Sequence, residues 1–239
     1  MGMALTLITF FFLSKTFENN QTQYLGTYGG DYFLFSIIGI AFLDHFFNLI
    51  RSLSFAIRNA QAFGYIDSIL QTKRNIITVM LAMLAYPYMK GNIKFVLYLF
   101  LASLIGEYPL PFEAYALSSL VLFLSSFFVI GIAFLSGAFV LVYKQANPIN
   151  YLANTLVSVF SGILYPVSVL PSYLQMISEI IPATYSLELI RDIIFSQNLE
   201  FKIDIINILL VPSIIALISI IVFNFAVTKI KRDGTSGKY

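Results

Sequence analysis

The chain has 239 residues, of which 59% are hydrophobic and only 11% charged, against about a quarter charged in ordinary soluble domains; this arithmetic excludes a water-soluble globule. The charges also cluster, leaving uncharged runs at 1–14, 114–143, 145–178 and 205–228, several of them longer than the ~20 apolar residues that cross a bilayer. No cysteine means no disulfide and no thiolate metal site, a single histidine excludes a multi-histidine metal centre, and a net charge of +2 is too small to point to nucleic acid.

A membrane barrel needs ~10-residue strands that alternate apolar and polar, whereas these runs are apolar on every side, as helices in lipid must be. The prediction is an all-α polytopic membrane protein. One transmembrane domain covers 1–228, with six spans near 2–14, 33–50, 86–106, 114–143, 149–165 and 205–228, followed by a basic cytoplasmic tail at 229–239. The first span, Met3–Leu13, is thin for a crossing. No Lys or Arg precedes it and no A-x-A site follows, so it does not read as a secretory signal, and the start reads as shortened. Asn20-Gln21-Thr22 forms a glycosylation sequon on the predicted outer face.

Span two holds Asp44-His45, the one strongly polar pair at membrane depth, where a charged Asp costs about 2.5–3.5 kcal/mol on insertion scales. Either Asp44 bonds a neighbour, through Asn48 one turn on or Asn154 on span five, or the pair lines a substrate path or forms a proton site. After it, Arg51–Arg74 is too long for a turn. Ala62, Phe63, Ile66, Ile69 and Leu70 recur at helical spacing opposite Gln61, Gly64, Asp67, Ser68 and Gln71, which predicts a short amphipathic helix on the membrane surface. It either caps the bundle or docks a cytoplasmic partner. In the third span Tyr86-Pro87, Lys90-Gly91 and Lys94 interrupt the apolar run; the proline is expected to kink the helix and leave 75–85 along the interface. Hydroxyls at Ser118, Ser119, Ser125, Ser126 and Ser136 read as helix-packing contacts rather than a hydrolase. The 24 Phe and 15 Tyr supply lipid-facing bulk and an interfacial belt (Tyr24, Tyr28, Tyr32, Tyr108, Tyr165, Tyr173), and Phe-rich walls would also suit an apolar cargo.

From Gly162 to Glu200, the breaks at Gly162, Pro166, Pro171 and Pro182 forbid one continuous span. Two short helices are predicted, Ser172–Ile181 and Thr184–Phe195, as a broken helix dipping into the outer leaflet; a surface loop is the alternative. For orientation, the segments 51–94, 144–150 and 229–239 carry eleven of fourteen basic residues: Arg51, Arg58, Lys73, Arg74, Lys90, Lys94, Lys144, Lys229, Lys231, Arg232 and Lys238. The other side carries nine of twelve acids: Glu18, Asp31, Glu107, Glu113, Glu179, Glu188, Asp192, Glu200 and Asp204. Positive residues stay inside, so both termini are expected in the cytoplasm. The closing Gly234-Thr-Ser-Gly237-Lys238-Tyr239 has neither the spacing nor the Ser/Thr of a phosphate-binding loop, so this chain is not expected to hydrolyse ATP.

The run Ser161-Gly-Ile-Leu-Tyr-Pro166-Val-Ser-Val-Leu-Pro171, with Leu174-Gln175, Pro182-Ala-Thr184-Tyr185 and Glu188-Leu-Ile-Arg191, resembles the signature of permease subunits of type-2 ABC exporters. Gly64-Tyr-Ile-Asp67-Ser-Ile-Leu-Gln-Thr72 is similar to that family's G-T-L-E-x-L-L-x-T coupling helix, with Tyr65 for Thr, Asp67 for Glu and Lys73 for the common Pro. The resemblance covers about 31–228 and lacks the family's amphipathic lead-in. It implies paired re-entrant helices forming an outer gate (Gly162, Pro166, Pro171, Pro182, Thr184, Glu188, Arg191) between spans five and six. It also implies coupling to an ATPase through Arg58, Gly64, Tyr65, Asp67 and Thr72. The partner would be an ATP-binding cassette subunit in two copies, holding ATP and Mg, with this chain a homodimer in the plasma membrane, surrounded by lipid. The G-Y-I-D segment is most similar to the drug-exporter branch, which favours small apolar drugs or lipids as cargo. Two other classes stand beside this one: a stand-alone secondary transporter or channel using Asp44 and His45, for which no inverted repeat is evident, and a passive membrane anchor.

Overall fold

In the computed structural model, residues 2–17, 31–144, 148–195 and 206–233 are described. The Asn20 sequon, Tyr24 and Tyr28, the acids Glu18, Glu200 and Asp204, and the 234–239 end with Lys238 lie outside the described residues. Those described form helices and no strand. Helix α1 is Met3–Phe17, α2 Tyr32–Ala62, α3 Ile66–Leu70, α4 Ile76–Ile105 and α5 Phe112–Tyr143. They are followed by α6 Pro148–Phe160, a 3₁₀ turn at Val167–Val169, α7 Ser172–Ile180, α8 Pro182–Phe195, and a π turn at Ile206–Leu210 that runs into α9 Val211–Asp233.

Local chemistry sets these limits. The Asp31 carboxylate caps α2 by accepting from the Leu34 N–H at 3.2 Å, satisfying one of the donors a helix start leaves open. At the other end Gly64 takes φ +76°, a left-handed conformation that costs glycine little, and the chain turns into α3. The Asn75 side chain caps α4 by accepting from the Ile77 N–H at 3.0 Å. Gly162, at φ +72°, follows the end of α6, and Pro182 occupies the first position of α8, where a missing N–H loses nothing.

Among the described residues four helices are long and apolar enough to cross a membrane: Tyr32–Ala62, Ile76–Ile105, Phe112–Tyr143 and Ile206–Arg232. Helix α6 has 13 residues, about 20 Å at 1.5 Å per residue, and ends at Phe160. The span expected at 149–165 is therefore shorter than a ~30 Å hydrocarbon layer, because Ser161-Gly162 breaks it. Helix α1, with 15 residues, is likewise short of a crossing.

The other corrections concern charge. The charge pattern predicts span two at 33–50 and a cytoplasmic segment at 51–94. Instead α2 runs on to Ala62 and α4 starts at Ile76, leaving only 63–75 between them. Arg51, Arg58, Lys90 and Lys94 thus stand on long helices. Pro87 lies inside α4 without ending it, so 75–85 is not a separate interfacial piece: one forgone i→i−4 bond does not terminate a helix whose flanking turns, through Met80, Leu84, Phe95 and Leu99, are packed in the core. The amphipathic helix expected over 51–74 reduces to Ile66–Leu70, with Ile66 and Leu70 buried but Phe63 77% exposed. Helix α9 carries Lys229, Lys231 and Arg232, so the tail begins as helix.

Helix α2 is the hub. It packs against α1, α4 and α5, while α5 also receives α8 and α9. Leu34, Phe35, Ile37, Ile38 and Ile50 of α2 are fully buried. Aromatic edges lock the pairs: Phe33 against Phe11 of α1 at 5.6 Å, and Phe134 of α5 against Phe223 of α9 at 5.2 Å. In lipid there is little hydrophobic gain from bringing helices together, so dispersion and polar contacts hold the bundle. Leu217, Ile218, Ile221 and Phe225 on α9 and Ile93, Phe100 and Leu104 on α4 remain exposed, as lipid-facing residues should.

Candidate functional site

The segments singled out in the sequence fall at the two ends of α2, with a polar pair between them. At the Tyr32 end the organising residue is Arg191 of α8, 1% exposed. Its guanidinium donates to the carbonyls of Gly162 (2.6 Å), Ile163 (2.9 Å) and Phe35 (3.2 Å), and stacks 3.5 Å from the Phe35 ring centroid. A planar fork with several donors suits a cluster of carbonyls where the point charge of Lys does not. The broken backbone after α6 is thereby tied to both α8 and α2. Gly39 makes the approach possible: a Cβ there would overlap the Ile163 carbonyl oxygen and stand 3.0 Å from the guanidinium.

Around this knot Pro166, Pro182 and Thr184 are buried, whereas Pro171 is exposed at the start of α7, its carbonyl accepting from Leu174 and Gln175. The Gln175 side chain donates to Leu170 O at 2.7 Å, and the hydroxyls of Tyr165 and Tyr185 donate to Val159 O and Glu179 O at 2.5 and 2.9 Å. Glu188 is half-buried on α8. Burial raises its carboxyl above the usual range, the neighbouring Asp192 carboxylate adds to this, and Arg191 opposes it. Gly162 and Arg191 are thus in direct contact, as the sequence could not show. Phe35 and Gly39, which complete the contact from more than 120 positions away, carried no sequence signal.

Asp44 lies twelve residues along α2 from Tyr32, about 18 Å. Its carboxylate pairs with Lys94 of α4 at 2.7 Å and accepts from the Asn48 side chain at 3.2 Å. The bond to Asn48 agrees with one alternative read from the sequence; the interhelical partner is Lys94 and not Asn154. The one-turn spacing of Lys90 and Lys94 inside the apolar run of span three was the available signal for this partner. His45 is 2% exposed, packed on Gly91, where a Cβ would sit 2.5 Å from Nδ1, and edge-on to Tyr88 at 5.5 Å. Neither of its ring nitrogens makes a well-formed hydrogen bond among the described residues.

Toward the Ala62 end, α2 and α4 part around a cavity of about 830 Å³ lined by Asn48, Arg51, Arg58, Lys90, Lys94 and Asn150 among others. Arg58, expected with the coupling segment, lines this cavity. Beyond it the connection turns over at Phe63-Gly64-Tyr65, all exposed, with Asp67 and Thr72 half-buried. Nothing lies within 4 Å of a Cβ built on Gly64. Among the described residues no group of His, Cys, Asp and Glu could hold a metal ion.

The model of the ABC-2 type transporter family matches residues 1–195, a stretch that contains the exposed turn, the Asp44–Lys94 pair and the Arg191 knot. No curated protein and no solved structure matches the chain.

Proposed function

Because this chain belongs to the ABC-2 type transporter family, and so is a membrane component of a transporter, we propose that it is the permease subunit of an ATP-driven exporter of amphipathic compounds. The carrying observation is that the match to residues 1–195 takes in both segments the mechanism needs, the turn at 63–72 and the broken segment at 161–191.

In this reading two copies of the chain pair in the plasma membrane, and two ATP-binding subunits, holding ATP and Mg, sit beneath them with both termini of each permease. The Phe63-Gly64-Tyr65 turn and α3 enter the ATPase subunit. Two exposed aromatic side chains at a helix-end turn suit an apolar cleft, and Asp67 in the first turn of α3 adds a carboxylate for a basic partner. Nucleotide-driven movement passes into α2 and α4 at their shared end. The six-span topology is completed by α1 and by α6 together with the broken segment after it. Helices α7 and α8 form the outer gate, hinged on the Arg191 contact.

Co-purification tests this directly: the chain should bring down an ATP-binding cassette subunit and show ATP-dependent export only in its presence. ATP-dependent export persisting without such a subunit would refute it.

A further inference from the structure

On α2, Asn48, Arg51, Phe55 and Arg58 stand at i, i+3, i+7 and i+10, one face of the helix. On α4, Lys90 and Lys94 are one turn apart. These faces oppose each other across the cavity of about 830 Å³, with Asn150 of α6 also in its lining. Four cations therefore line one cavity. Lys94 is compensated by Asp44; Arg51, Arg58 and Lys90 have no carboxylate within ion-pair distance among the described residues.

Depth and lining identify the missing anion. Counted from the Tyr32 and Ile105 helix ends at 1.5 Å per residue, Lys94 lies about 17 Å in, Lys90 about 22 Å and Arg51 about 28 Å. The cavity thus climbs from the middle of a ~30 Å hydrocarbon layer past its far boundary to Arg58, about 39 Å in, at the level of the headgroups. Uncompensated cations there repel one another and are costly, and an oxyanion between them removes that cost. Guanidinium forks bind a phosphate bidentately, and basic pockets between membrane helices suit anionic headgroups. Phe55 and Tyr86, 66% and 72% exposed on the same lining, offer ring faces to glycerol and acyl carbons, a contact that free phosphate would leave unused.

We propose that this cavity is a binding site for the phosphate headgroup of an anionic membrane lipid, entered from the leaflet at the Ala62 end. The step from site to cargo class rests on the permease reading above.

The test uses the purified full-length chain in neutral detergent, with phosphatidylglycerol, phosphatidylcholine and diacylglycerol as probes and native mass spectrometry as readout. Phosphatidylglycerol should be retained over the other two. Its affinity should fall at least about tenfold in the triple variant Arg51→Gln/Arg58→Gln/Lys90→Gln, while Lys73→Gln/Arg74→Gln outside the cavity leaves it within about twofold. Should the triple variant not purify, Arg58→Gln alone, at an exposed position, should still weaken retention, and Arg58→Lys, which keeps the charge but not the bidentate fork, should recover part of it. Unchanged retention in the cavity variants, or an equal loss in the Lys73/Arg74 variant, overturns the site. Displacement of the lipid by millimolar glycerol 3-phosphate overturns the lipid assignment in favour of a soluble phosphate. Binding is read without nucleotide or a second subunit, so its failure leaves the permease reading intact, and the reverse holds.

Discussion

The two ends of α2 are built on opposite principles. At the Tyr32 end a buried cation is held by three carbonyls and an aromatic face, and the backbone closes over it with no room for a methyl group at Gly39. Toward the Ala62 end three cations stand open around a cavity, and the chain turns over at an exposed aromatic tip. The contrast separates holding from receiving: one end fixes the broken segment to the bundle, the other is left to be completed by something else. The Asp44–Lys94 pair sits between the two.

The largest effect is expected at the knot. Replacing Arg191 with Met leaves the Gly162, Ile163 and Phe35 carbonyls without its donors, and at about 1–3 kcal/mol for each unsatisfied buried acceptor should cost at least about 3 kcal/mol, read as a lower thermal unfolding temperature in detergent. Arg191→Lys should recover only part of it, since one ammonium cannot span the fork. Next, Gly39→Val forces the Ile163 carbonyl away from α2 and should cost about 1–3 kcal/mol by the same measurement. Midway, Asp44→Asn and Lys94→Met each strand a partner, and the double variant should be less damaging than the sum. A coupling of about 0.5–3 kcal/mol in that cycle is expected, and a value near zero would remove the pair from the bundle's support. The smallest stability effect belongs to the tip: Asp67→Asn should change unfolding by no more than about 0.5 kcal/mol, yet reduce transport per ATP consumed. If Asp67→Asn unfolds the chain as Arg191→Met does, the division between the two ends is wrong.

How much of this was legible in the sequence follows from the range of the interactions. The pair of short helices before α9 was readable because Gly162, Pro171 and Pro182 act on their own backbone neighbours. The Asp31 cap of α2 and the turn at Gly64 are equally local, but the sequence pattern sets Gly64 on a polar helix face instead. The ends of the long helices are not legible from charge, because Arg51, Arg58, Lys90 and Lys94 stand on the helices themselves, lining the cavity between them. Spacing alone could have warned of this at Lys90 and Lys94. Asp44 finds Lys94 fifty positions away, and Arg191 finds Phe35 at a separation of 156; contacts of that kind leave no periodicity to read.

In the proposed mechanism the open end of α2 is worked by a nucleotide-burning partner. The most direct measurement reconstitutes the chain in vesicles with and without an ATP-binding cassette subunit, following ATP hydrolysis and the movement of a fluorescent anionic phospholipid together. The account predicts both activities with the partner and neither without it. Hydrolysis or uphill movement by this chain alone would contradict it.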